Sequence, residues 1–268
     1  MQENKLNAKK ANLSTDRLLS LVEFMARQQE AVRLTDIAAG CGMNISTVHR
    51  FLASLLAGGY AVKTEEGMYR LTFAFCRLGE SIRRNTDMRS LCLPILRTIA
   101  QNTGCAAKLV KEYDMDAICL ESVQGDLIGG FLPEYGVQPL HTSAAGKLII
   151  SHWQPRRLEE LVQIKGLKAM TPAAITQLTS LRRELYMVRS RGYAFDEEET
   201  ELGWHSLAVP LRDYTNEVIA AIELRVPTSV LSQDELMRHY PMLVNAGDQL
   251  SRFLGYDSTM DRPPTFRR

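Results

Sequence analysis

The chain has 268 residues, 45% hydrophobic and 24% charged, the proportions of an ordinary soluble protein and a length that suits two domains. No apolar run approaches the roughly 20 residues that span a bilayer, and the polar start MQENKLNAKKANLS has no apolar h-region, so neither a membrane span nor a signal peptide is expected and the cytoplasm is the expected location. The formal charge of +1 hides an asymmetry: residues 1–90 carry 13 Lys/Arg against 9 Asp/Glu, the remainder 19 against 22, which leans the N-terminal part weakly toward nucleic acid.

Residues 1–11 are polar, with Lys9 and Lys10 adjacent, and are expected to be a disordered tail. From Ser14, apolar residues at Leu18, Leu21, Val22 and Met25 recur at helical spacing. A second, short helix is predicted from Thr35 as N-cap, and a third from Asn44 to the Gly58-Gly59 stop. Tyr60–Lys63 and Tyr69–Leu71 flank Glu66-Gly67 and read as a hairpin. Helices are predicted over 72–85 and 88–103.

The second half alternates differently. Strands are predicted over 105–112, 117–123 and 127–132, and helices over 143–151, 155–163 and 172–191. Two more strands, 206–211 and 218–226, flank a loop at Asp213–Asn216, and a last helix covers 233–254. Strands interleaved with helices and closed by a late hairpin indicate an α+β domain around one antiparallel sheet.

The strongest local signal runs from Leu34 to Leu52. Two helices packed across a tight turn need a small residue where they touch, which Ala38 supplies. They also need a residue tolerant of positive φ in the turn, which Gly42 supplies. Ile37, Cys41, Met43, Val48 and Phe51 fall where such a unit buries side chains. Asn44, Ser46, Thr47, His49 and Arg50 are left for the exposed face of the second helix, able to reach phosphates and base edges. Arg33 and Thr35, at the start of the preceding helix, join them. The hairpin that follows makes this a winged helix-turn-helix, with Lys63 and Arg70 beside the duplex backbone. The competing reading of these helices is a generic helical hairpin.

No Cys pair forms C-x-x-C among Cys41, Cys76, Cys92, Cys105 and Cys119, which read as small, mostly buried hydrophobes. His49, His141, His152, His205 and His239 show no H-E-x-x-H spacing. No metal site and no cofactor is expected. His141, Ser143 and Lys147 could be arranged into a nucleophile site. Yet no nucleophile elbow, P-loop or G-x-G-x-x-G supports an enzyme. A ligand-free architectural protein would not need a second domain as large as 89–255.

With these motifs in place the sequence resembles the IclR family of bacterial transcriptional regulators over about residues 12–255. The likeness rests on Leu34-Thr-Asp-Ile-Ala, Ser46-Thr-Val-His-Arg-Phe-Leu and Gly58-Gly-Tyr. Downstream it rests on Pro139-Leu-His-Thr-Ser-Ala-Ala-Gly-Lys, Arg191-Gly-Tyr-Ala-Phe-Asp-Glu-Glu-Glu, and Gly203 followed by Ala208-Val-Pro. The resemblance implies a winged-helix domain (12–71), a linker helix (72–88), a GAF/PAS-like effector-binding domain (89–255) and a tail (256–268). It implies dimers, often dimers of dimers, on double-stranded palindromic operator DNA, and a small organic effector, often a carboxylate. Repression is the expected sign; activation of a catabolic operon is the alternative.

Carried over by motif, the effector cleft falls at Thr142, Ser143 and Ala144, whose turn could hold an anionic oxygen, and at Asp196, Trp204, Ser206, Glu223 and Arg225. Ser206 stands where the family often has Cys, and Glu223 and Arg225 where it often has small hydroxyl residues. Residues two apart in a strand share a face, so these two charges point the same way, and Lys108 on an earlier strand is expected to join them. A sugar acid or hydroxy acid whose carboxylate meets Arg225 is one reading. The other is a Glu223–Arg225 pair that fills the cleft. The acidic run Asp196–Glu201 is read as a solvated loop.

Overall fold

The computed structural model describes residues 13–85, 87–129 and 136–257, and the chain divides into two compact units between Thr86 and Asp87.

The first unit is helical with a small hairpin: α1 (Leu13–Ala26), α2 (Leu34–Gly40), α3 (Ile45–Ala57), β1 (Ala61–Lys63), β2 (Tyr69–Leu71) and α4 (Ala74–Asn85). Leu21, Met25, Ile37, Val48, Phe51, Leu52 and Tyr69 form its core, each large aliphatic side chain contributing about 1.5–3 kcal/mol on burial. Ala38 is buried, and its carbonyl accepts the Met43 N–H at 2.9 Å. The chain reverses between these residues because Gly42 takes φ +62°. A Cβ there would meet nothing within 4 Å, so the backbone conformation, not space, demands glycine. Asn44 caps α3, its side chain accepting the Thr47 N–H at 3.2 Å. In the wing, Lys63 pairs with Tyr69 and Val62 with Arg70.

The second unit is built on a six-stranded antiparallel sheet of β3 (Ala106–Tyr113), β4 (Asp116–Val123), β5 (Val137–Pro139), β6 (Ala194–Glu197), β7 (Trp204–Arg212) and β8 (Val218–Pro227), in the order β5-β4-β3-β8-β7-β6. The helices are α5 (Met88–Thr103), α6 (Ala144–Ile150), α7 (Pro155–Lys165), α8 (Leu178–Arg191), α9 (Gln233–Met237) and α10 (Tyr240–Phe253). Both sheet faces are covered. Ala220, Ile222, Leu224 and Val226 of β8 share one core with Leu96 and Ile99 of α5 and Leu243 and Leu250 of α10. Ala221 faces the opposite core, with Ala194, Ala208, Leu148 of α6 and Leu181 of α8. The side-chain period of two in β8 therefore sends Glu223 and Arg225 to the face beneath α6.

The structure corrects several expectations. Arg33, not Thr35, precedes α2 as its N-cap and gives no side-chain cap bond; the Asp36 and Ile37 N–H groups both reach the Arg33 carbonyl, which starts the helix earlier. The strand expected over 127–132 is absent at 127–129, where the Leu127 N–H donates to Gly104 O and that of Ile128 to Gly125 O in a turn; residues 130–132 lie outside those described. Helix α8 begins at Leu178 rather than 172, because Thr171 Oγ1 takes the Ala173 N–H and holds a turn there. The last helix is two: α9 closes at Met237, and α10 restarts with Pro241 in its first turn, a position where the missing N–H costs nothing. The short strands β5 and β6 were not expected. Only Cys92 and Cys105 of the five cysteines are buried; Cys76 is exposed and the other two are partly covered.

Candidate functional site

The polar residues of the helix-turn-helix are presented together. Ser46, His49 and Arg50 are exposed on α3 and Asn44 at its N-cap, with Thr47 half-buried behind them, and Arg33 and Thr35 are exposed at the N-cap and in the first turn of α2. Val48 takes the fully buried position beside His49, so the histidine is a surface group. Lys63 and Arg70 are exposed on the wing, the lysine ammonium 5.6 Å from the Tyr69 ring centroid. A solvated row of hydroxyl, amide, imidazole and guanidinium groups on one short helix can donate to phosphates and read base edges, and flanking cations add affinity without sequence information.

The second constellation lies on the sheet beneath α6. Register places Asp196, Ser206 and Arg225 side by side on β6, β7 and β8. The neighbouring row holds Ala208, Glu223 and Lys108. Thr142, Ser143 and Ala144 stand at the start of α6, and all of these residues are buried, whereas Trp204 is half-buried. The structure brings these residues next to one another, and Trp204 of β7 reaches them through the Arg225 guanidinium.

Their pairing differs from both expected schemes. Arg225 does not pair with Glu223. Its Nη2 donates to Glu201, its guanidinium lies 5.0 Å from the Trp204 ring centroid, and its Nε has no hydrogen-bond partner among the described residues. Glu223 Oε2 accepts the Ala145 N–H at 3.1 Å, while the Gly146 N–H goes to Ser143 Oγ. The turn expected to hold a ligand anion is therefore occupied by the protein's own carboxylate and hydroxyl. Burial pushes the Glu223 carboxyl up, against the pull of Lys108 and Arg225. Burial likewise pushes the Lys108 ammonium down, against the pull of Glu223. Lys108 has no ion-pair partner among the described residues.

The acidic run is not a solvated loop. Asp196 and Glu199 are buried. Asp196 Oδ1 accepts the N–H groups of Glu199 and Thr200, and Glu199 pairs with Lys147 of α6. Thr171 Oγ1 holds the Glu198 and Glu199 carbonyls. Burial raises Asp196 and lifts Glu199 to about 7, Lys147 opposing it. Sequence reasoning missed Glu199, Glu201 and the structural role of Lys147. One signal was present: Lys147 is the single charge in the otherwise apolar run Ala144–Ile150, where an ammonium needs a buried counterion.

A helix-turn-helix with a two-stranded wing, followed by an α+β domain with a cluster of buried polar and charged side chains, defines a DNA-binding transcriptional regulator with an effector-binding domain. Residues 14–65 match the IclR helix-turn-helix domain and residues 81–252 match the bacterial transcriptional regulator IclR C-terminal family; the chain belongs to the IclR family and is not an enzyme. It is 30% identical over 245 residues to the HTH-type transcriptional regulator XynR of Escherichia coli, covering 91% of this chain and 97% of that protein. It is 29% identical to the transcriptional repressor IclR of the same organism, covering 90% of each. Among solved structures, an IclR-type regulator from Silicibacter sp. TM1040 superposes with a TM-score of 0.79 at 24% identity, over 94% of this chain and 98% of that one. Pseudomonas aeruginosa HmgR does so at 0.72 and 21%, over 91% and 99%; these two show the fold alone. No helix among the described residues is long and apolar enough to cross a membrane, and no described cluster of His, Cys, Asp and Glu could hold a metal ion.

Proposed function

We propose that this regulator is a cytoplasmic repressor whose hold on a palindromic operator changes when a small polar carboxylate, a sugar acid or hydroxy acid, enters the cleft beneath α6. The observation that carries the ligand class is the pair of buried cations, Lys108 and Arg225, on one sheet face, with Arg225 Nε unpartnered. Buried cationic donors without full pairing are costly unless something anionic joins them. Ser206, Asp196, Thr142, Ser143, Ala144 and Trp204 shape the rest of the cleft, and Glu223 offers an acceptor for a hydroxyl. Repression is supported by the relatives named as repressors.

On the DNA side, Asn44, Ser46, Thr47, His49 and Arg50 read the major groove, and Arg33, Thr35, Lys63 and Arg70 contact phosphates. A palindromic site needs two heads, and the exposed Phe73 and Leu78 beside and on α4 offer an apolar strip for a second copy. Residues 72–88 then connect a DNA head (12–71) to the sensory domain (89–255). Such coupling requires the effector to bind two states with different affinity. A gel-shift titration on the DNA upstream of the gene, repeated with sugar acids and hydroxy acids, tests the whole. Salt-sensitive retardation abolished by one acid is expected, and retardation indifferent to every acid overturns the effector reading.

A further inference from the structure

We infer that Glu201 is a tethered stand-in for the effector's carboxylate, which must displace it from Arg225 to bind. This rests on the proposed carboxylate site. Arg225 is 2% exposed, whereas the Glu201 side chain that reaches it is 43% exposed. The cation belongs to the interior, and its counterion reaches it from the solvent-exposed side. Glu201 meets Nη2 alone and leaves the buried Nε unsatisfied. A carboxylate engaging the Nε–Nη2 edge would satisfy both donors in the side-on geometry that guanidinium favours. An incoming ligand carboxylate can therefore do better than the resident one.

The surrounding turn decides what can move. Glu199 is held by Lys147, its N–H by Asp196, and its carbonyl by Thr171. Thr200 Oγ1 donates to Thr142 Oγ1 at 3.2 Å. The backbone up to Thr200 is thus fixed to the cleft, and the Glu201 side chain is the piece left to swing into solvent. Trp204 lies against the Arg225 guanidinium, so it senses which carboxylate is present. Competition by Glu201 lowers apparent affinity by the fraction of molecules in which Arg225 is covered, and it rejects ligands that lack an anionic group.

Acetate serves as the probe, because it carries the carboxylate and nothing else. Thermal unfolding of the full chain is followed against sodium acetate, with sodium chloride holding ionic strength constant, for the wild type, Glu201→Gln and Arg225→Gln. A binding anion raises Tm with its concentration. E201Q is expected to reach a given rise in Tm at an acetate concentration about fivefold lower than the wild type, with R225Q unresponsive. Equal rises in Tm for wild type and E201Q at every acetate concentration, with R225Q flat, overturn displacement by Glu201 but leave the carboxylate site standing. A response that is absent, or the same in all three, overturns both. Should R225Q fail to fold, a Trp153→Phe background leaves Trp204 as the sole tryptophan of the two. Its emission then reports whether acetate arrives beside Arg225; emission indifferent to acetate in both W153F and W153F/E201Q counts against both readings.

Discussion

Glu223 Oε2 accepts the backbone N–H of Ala145 at 3.1 Å, so β8 supplies the acceptor that satisfies the first turn of α6. The carboxylate also sits opposite Lys108 in register. Replacing Glu223 with Ala should cost about 1–3 kcal/mol, the penalty for a buried donor left without its acceptor, and should leave Lys108 uncompensated. Glu223→Gln, whose amide oxygen can still accept, should lose less. Urea denaturation of both variants measures the difference; equal losses would show that the hydrogen bond is not what Glu223 provides.

Lys147 is 1% exposed in its side chain and pairs with Glu199. Taking away one member of a buried pair strands the other, at about 3–5 kcal/mol. Lys147→Met keeps the length and apolar stem, so its loss of stability reports the stranded Glu199 carboxylate. The double variant K147M/E199Q should recover most of it. A double variant as unstable as K147M would assign the cost to packing.

The same pair makes stability depend on pH. Burial lifts the Glu199 carboxyl from its ordinary 4.5 to about 7. A value raised on folding stabilises the protein while the group is protonated, so its contribution is complete below about pH 4.5 and is lost as pH rises through 7. Each tenfold change in proton affinity corresponds to about 1.4 kcal/mol, so the loss across this window is about 3 kcal/mol. Glu199→Gln should unfold with a flatter profile between pH 4.5 and 7 than the wild type. Parallel profiles would mean that Glu199 ionises in the folded state much as it does in the unfolded one.

Gly146 is hemmed in by backbone: a Cβ there would lie 2.4 Å from Leu140 O and 2.7 Å from Leu140 Cα. Gly146→Ala should destabilise by about 1–3 kcal/mol, the range for overpacking, despite the higher helix propensity of alanine. Its melting temperature compared with that of Gly79→Ala, where nothing lies within 4 Å, isolates the clash. A G146A melting temperature equal to the wild type's would mean that the Leu140 turn gives way.

On the DNA head, Arg50→Ala and Lys63→Ala should separate two roles. Loss of a base-edge contact by Arg50 should cost about 1–3 kcal/mol and relax sequence preference. Loss of a phosphate contact by Lys63 should weaken all sequences alike and reduce the salt slope by about one. Fluorescence anisotropy on operator and scrambled duplexes across a salt series distinguishes these outcomes.

The sequence by itself determined the parts whose physics is local. Ala38, Gly42 and Asn44 specified the helix-turn-helix, because a close helix contact, a positive φ and an N-cap each demand particular residue types within a few positions. Period-two alternation in β8 was enough to put Glu223 and Arg225 on one face. The tertiary structure alone decided whom those charges meet. Arg225 finds Glu201 from a turn 24 residues away, Glu223 finds a backbone N–H 78 residues away, and Lys147 finds Glu199 across 52 residues. Buried charges are compensated by whichever partner the fold brings within hydrogen-bond reach, and sheet register and the seating of α6 fix that partner. The same long-range contacts turned an acidic stretch that reads as solvated into a buried anchor. They also left one half-exposed carboxylate, Glu201, over the cation in the cleft.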